Sequence, residues 1–357
     1  MIQRKFIRKC KLELTQDDDK DMLVLWGSSG LDSQKRKNLY NARIVFDVSK
    51  TKEGIYSNAH IKIFNINKEN KDTMEILKEK TNIKLYAGYE EDFQNGTEHL
   101  IPIFQGQICH IDSQLYIDGE THLYCYSGID LLHQKMPTVS MNAGSTFKML
   151  FGAIRSGFAN KGYDFNICDD SVLSKIIDGY ATRIFTQKGY TVPHTYYIEN
   201  YFNSFVKNIS SKTKQIKWYF DDATRKIMLY NSSNKTDQNS SNISNSIELK
   251  RGVNIIAFDS SGREREFREK YFAERVDRKK NKQKRSKMED FDFYNMSILM
   301  EQNINLEKIA KVSDMKEEGI DSNTLLNIKS LKYIGDTHGQ SDEWRIDLEL
   351  YEESGSN

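Results

Sequence analysis

Seven histidines (60, 99, 110, 122, 133, 194, 338) and four cysteines (10, 109, 125, 168) are the side chains with the most chemistry to offer. Cys109-His110 and His122-Leu-Tyr-Cys125 fall on consecutive strand-like segments. A metal needs converging ligands, and adjacent residues on a strand point to opposite faces. A core or surface role is therefore preferred to a metal site. No C-x-x-C pair or His-rich cluster accompanies them, so reduced, cytosolic thiols are expected rather than zinc. Asp17-Asp-Asp-Lys-Asp21 lacks the Gly and distal Glu of a calcium loop and reads as a solvated turn. Gly335-Asp-Thr-His-Gly339 puts Asp336, His338 and Ser341 within seven residues, but without a Gly-x-Ser-x-Gly elbow it reads as a turn. Asp336 and Glu343 could pair as glycosidase carboxylates, yet nothing supplies the aromatic cleft such an enzyme needs. No catalytic residue and no cofactor are assigned.

One charge cluster stands apart. Arg278, Lys279, Lys280, Lys282, Lys284, Arg285 and Lys287 put seven basic residues into ten with no acid. From Arg263 to Lys287 the net charge is +7, against +1 for the whole chain. Before the tract, Phe267, Tyr271, Phe272 and Val276 could line one side of a short helix. A solvated loop is the first reading. Docking onto an acidic neighbour is the second, and contact with phosphate of DNA or lipid headgroups the third.

The elements around these residues are mostly strands. The 357 residues suffice for two or three domains. A hydrophobic content of 38% and a charged content of 29% suit modest cores with much polar surface. Three prolines against nineteen tyrosines fit β-structure and protein interfaces. No apolar run is long enough for a transmembrane helix, and no secretory signal opens the chain. Residues 1–133 carry many short strand patterns and one helix over 71–80, which predicts a barrel or sandwich. Residues 134–235 predict a small α+β module. It has helices over 145–158 and 197–211, with Ser145 or Thr146 as N-cap, and a hairpin over 217–230 with an Asp-Asp turn. Residues 231–246 are polar and low in complexity, hence a linker. Strands resume near 247. They end in a hairpin whose arms are Leu325 to Ile334 and Trp344 to Tyr351, joined by a polar connection from Gly335.

That hairpin resembles the last hairpin of phage baseplate and tail hub proteins, where a strand runs into Gly-Asp and a Trp opens the closing strand. Other pieces resemble the family in its order. They are Ala59-His-Ile-Lys-Ile-Phe-Asn-Ile-Asn67, Ile83-Lys-Leu-Tyr-Ala-Gly-Tyr89 with Ile103-Phe-Gln-Gly-Gln-Ile108, and Tyr126-Ser-Gly-Ile-Asp-Leu-Leu132. Asn142 to Leu150, the hairpin from Lys217 to Tyr230, and Ile298 to Ile309 continue the series. Gly335, Asp336 and Trp344 are its structural markers at the end.

The resemblance implies a mainly β chain with an α+β insert: two tail-tube-like antiparallel β-barrels joined by a small α+β module. The expected divisions are 1–133, 134–235 and 236–352, with a charged insertion at 262–290 and a disordered tail at 353–357. It implies a structural hub subunit of a phage tail or baseplate, not an enzyme, forming a homotrimeric ring. Such a ring would adapt the hexameric tail tube protein to a spike or tail-tip protein, meet a tape-measure protein, and pass DNA only in transit. The expected place is the virion, after assembly in the host cytoplasm, without membrane insertion. Two rival classes remain: a nucleic-acid-binding protein acting through 278–287, and a cell-wall hydrolase.

Overall fold

The computed structural model describes residues 7–15, 22–29, 42–53, 56–64, 66, 81–93, 100–114, 119–159, 166–167, 190–192, 196–210, 216–231, 246–259, 291–301, 303–315, 320, 324–339 and 343–353. The helix expected over 71–80, the acidic turn at 17–21, Ser341 and the whole charged stretch 262–290 lie outside them. So do 354–357; Glu353 still belongs to the last strand.

The first strands are β1 (Arg8–Thr15), β2 (Met22–Ser28), β3 (Arg43–Thr51), β4 (Asn58–Phe64), β5 (Asn82–Tyr89), β6 (Phe104–Gln114) and β7 (Glu120–Tyr126). They pair antiparallel in the order β3-β4-β7-β6-β5-β1-β2. The Ala42 N–H donates to the Trp26 carbonyl at 2.8 Å, which returns β2 to the start of β3 and curls the seven strands into a barrel. Period-two alternation explains the core. Ile44, Phe46 and Val48 on β3, and Ala59, Ile61 and Ile63 on β4, all point inward.

The insert follows: α1 (Ile129–Leu132), β8 (Ser140–Met141), α2 (Phe147–Ala159), β9 (Asn166–Ile167), β10 (Tyr190–Thr191), α3 (Ile198–Ile209), β11 (Ile216–Asp221) and β12 (Lys226–Asn231). Thr146 caps α2, its hydroxyl accepting the Met149 N–H at 3.3 Å. Leu150, Phe151, Ile154 and Phe158 of α2 meet Tyr201, Phe202 and Phe205 of α3 over a β11-β12-β9 sheet, a core of its own. The β11-β12 hairpin has two buried faces. Trp218 and Phe220 enter the insert core, while Tyr219 enters the barrel core.

The last strands are β13 (Ser246–Lys250), β14 (Ile255–Asp259), β15 (Phe291–Leu299), β16 (Ile309–Ser313), β17 (Thr324–Asp336) and β18 (Trp344–Glu353). Their order is β13-β16-β17-β18-β15-β14, and the tight turn after Lys250 brings β14 back beside β13. β13 pairs with β16 in parallel, an exception to the antiparallel pattern.

β17 makes the chain one sheet of thirteen strands. Its first part pairs with β16 up to Asn327, and from Ser330 onward it pairs with β3. Between these stretches its register against β18 shifts at Ile328/Ser330. The extra residue of a bulge reverses which side chains face inward. Leu326 and Ile328 are buried before it, Leu331, Tyr333 and Gly335 after it. Strict alternation along this arm would set Ile328 on the face opposite Leu331 and Tyr333, whereas the bulge leaves all three buried. A single apolar core runs through both barrels.

Candidate functional site

Three clusters of polar side chains stand out among the described residues. The first is built on Gly335, Asp336 and Trp344. Arg43 holds Asp336 in a two-pronged pair, Nε to Oδ1 at 3.1 Å and Nη2 to Oδ2 at 2.6 Å. Arg8 donates to the Asp336 and Gly339 carbonyls at 2.8 and 3.0 Å. Thr337 exchanges hydrogen bonds with the Ile44 backbone. Trp344, 1% exposed, meets Phe46 edge-on at 5.5 Å, with the Arg8 guanidinium over its own ring at 5.9 Å. A Cβ on Gly335 would come within 2.1 Å of the Phe46 ring, so only glycine lets β17 approach β3 here. The hairpin thus locks the last strands onto β1 and β3.

The same geometry bears on the enzyme readings. Burial raises the Asp336 carboxyl, but hydrogen bonds from Arg43 and the His338 N–H outweigh it and leave its pKa below the ordinary carboxylate value. A glycosidase acid needs the opposite shift. Burial lowers the His338 pKa as well, with Arg43 adding to the effect and Asp336 opposing it.

The second cluster joins insert to barrel. Asp222, in the β11-β12 turn, is fully buried and pairs with Lys50 of β3 at 2.7 Å. It also accepts from the Ser57 hydroxyl at 3.2 Å and the Gln105 N–H at 3.0 Å. Burial raises the pKa of neighbouring Asp221; Lys50 opposes this, Asp222 adds to it, and hydrogen bonds from Thr224 oppose it. Lys50 occupies the inward position after Ile44, Phe46 and Val48. A lysine on an inward-facing row was the available sequence signal for a buried partner, and sequence reasoning missed it.

The third cluster lies on the outer face of β4, β7 and β6. His60, Tyr124 and His110 are ladder neighbours. His60 stacks on Tyr124 at 4.5 Å and 7°. His60 Nε2 lies 3.1 Å from His122 Nδ1, and His122 Nε2 lies 3.0 Å from a Glu120 carboxylate oxygen. Burial lowers the His60 pKa, followed by the effects of His122 and Lys62, with Asp47 opposing. Tyr124 and Tyr126 stay 37% and 43% exposed. The Cys109-His110 and His122–Cys125 pairs do not converge: Cys125 is buried in the core, while Cys109 and His110 are exposed.

The candidate docking residues Arg278, Lys279, Lys280, Lys282, Lys284, Arg285 and Lys287 lie outside the described residues. No helix among the described residues is long and apolar enough to cross a membrane.

No family model matches the chain, and no curated protein matches it. Solved structures do. The 43 kDa tail protein of prophage MuSo2 from Shewanella oneidensis has a TM-score of 0.50 at 9% identity, covering 96% of this chain and 98% of that one. The tail protein from Neisseria meningitidis MC58 has a TM-score of 0.50 at 8% identity, covering 96% of each chain. The chain is mostly antiparallel β and carries a fold like that of these phage tail proteins.

Proposed function

We propose that this chain is a structural, non-enzymatic subunit of a phage tail, acting as a hub ring between tube and tip. The observation that carries the reading is the fold likeness to two tail proteins over 96% of the chain. The thirteen-stranded sheet supports it, because β17 is hydrogen-bonded into both barrels. Three such chains would offer six barrels to a hexameric tube and a threefold face to a spike or tail tip. A closed ring can present one self-consistent surface to each partner. On this reading the partners are a second and third copy, the tail tube protein, the spike or tail-tip protein and a tape-measure protein, with DNA passing through the channel. The place of action is the virion tail, after assembly in the host cytoplasm. The domain divisions at 133 and 235 and a docking role for Arg278 to Lys287 belong to the same proposal. Light scattering at micromolar concentration, with and without tube or spike protein, tests it. A trimer in at least one condition is expected, and a stable dimer or tetramer in both would overturn the ring.

A further inference from the structure

The imidazole cluster on the first barrel has a geometry that the tail reading does not use. His60 and His122 are diagonal neighbours on β4 and β7, because His60 faces Tyr124 and His122 faces Lys62 across the ladder. Diagonal positions let long side chains meet. Their ring nitrogens converge to 3.1 Å. The His122 ring is held from behind by Glu120, 3.0 Å from its other nitrogen, and the His60 ring by its parallel stack on Tyr124. A carboxylate on the far nitrogen is the usual support of a metal-ligating histidine, fixing tautomer and ring orientation.

We propose that His60 Nε2 and His122 Nδ1 bind one divalent transition ion of the imidazole-preferring class, such as Zn²⁺, Ni²⁺ or Cu²⁺. An ion about 2.05 Å from each nitrogen would subtend about 98° at the observed separation, between octahedral and tetrahedral angles. Binding needs the His122 proton on Nε2, the nitrogen facing Glu120, and the His60 proton on Nδ1, so that each ligand presents a lone pair as a neutral imidazole. No group of three or more His, Cys, Asp or Glu side chains converges among the described residues, so water fills the remaining positions. His122 is buried at 7% exposure, so water would reach the ion from the side of the half-buried His60 and the exposed Tyr124.

Calorimetric titration of the untagged full chain with NiCl₂, ZnCl₂ and CuCl₂ tests the site. One saturable equivalent is expected for at least one ion. His60→Ala and His122→Ala should each weaken it at least tenfold. His60→Gln, which keeps a hydrogen-bonding partner for His122, should weaken it equally. Glu120→Gln should weaken it about tenfold, while His133→Ala and His338→Ala leave it unchanged. With Cu²⁺, the spin-resonance spectrum should show coupling to two nitrogens. Absence of saturable binding for all three ions, or binding unaltered in His60→Gln, would overturn the proposal.

Discussion

Asp222→Ala is the sharpest perturbation, because it removes one carboxylate on which two cores depend. Lys50 and Asp222 are 3% and 0% exposed, so neither charge has water as an alternative partner. Deleting one member of a buried pair leaves the other uncompensated, at about 3–5 kcal/mol. The Ser57 hydroxyl and Gln105 N–H also lose their acceptor, which places the expected cost in the upper half of that range. Lys50→Met removes the cation and leaves two adjacent buried carboxylates, so it should cost a similar amount. The double variant Lys50→Met/Asp222→Leu should recover part of the loss, because the apolar pair carries no desolvation penalty, while the Ser57 hydroxyl and Gln105 N–H still lack their acceptor and Asp221 its nearby cation. Denaturant unfolding followed by fluorescence reads this directly. Trp218 reports on the insert core and Trp344 on the barrel junction. In wild type both probes should report one transition. In Asp222→Ala the insert should unfold first, splitting it. A change below about 1 kcal/mol, or a double variant no better than the singles, would refute the claim that this pair couples insert to barrel.

Three further outcomes are expected. Trp344→Ala should destabilise by about 3–5 kcal/mol; its indole N–H has no acceptor among the described residues, so the cost is one of packing, and an unchanged unfolding midpoint would count against it. Acid should destabilise the barrel junction in two steps, because both folded-state pKa values there are depressed. The His338 contribution is present above its ordinary 6.5 and lost as pH falls below it, and that of Asp336 is present above 3.8 and lost below it. Arg43→Met should flatten the lower step in a stability-against-pH series, and an unaltered step would reject the Arg43–Asp336 assignment. Neutralising Arg278 to Lys287 should leave the melting temperature nearly unchanged while weakening binding to an acidic partner, most visibly at low salt. Equal tail assembly by wild type and neutralised chain would return the tract to a solvated loop.

Much of the fold was legible because alternation is a strong signal where one sheet face is buried. Ile44 to Val48, Ala59 to Ile63 and Trp344 to Leu350 each announce a strand and its inward face. The helical spacing of Leu150, Phe151 and Ile154 likewise announces α2. The sites were less legible, because they join residues far apart in sequence. Arg43 meets Asp336 across 293 positions, and His60 meets His122 across 62. Neither pairing follows from local pattern; each follows from which strands become neighbours. The Asp-Asp turn at 221 was readable as a turn, but not as the anchor that reaches Lys50.

The bulge on β17 hid the joining of the barrels for the same reason, yet its length pointed to it. Thirteen residues of strand extend roughly 43 Å, against the five or six residues of an ordinary strand. A strand so long outruns any single neighbour of the length of β16, which has five residues. Its unpaired remainder must find a second partner or expose a row of backbone donors and acceptors. β3, with nine residues and an inward row ending in Lys50, supplies that partner. The parity change at the bulge then becomes a requirement. Side chains that faced the second barrel's interior must be re-aimed once the strand enters the first, and one extra residue does this without breaking the ladder to β18. Two barrels joined by a shared strand cannot shear past each other without breaking its hydrogen bonds, so β17 ties the two barrels together along its whole length.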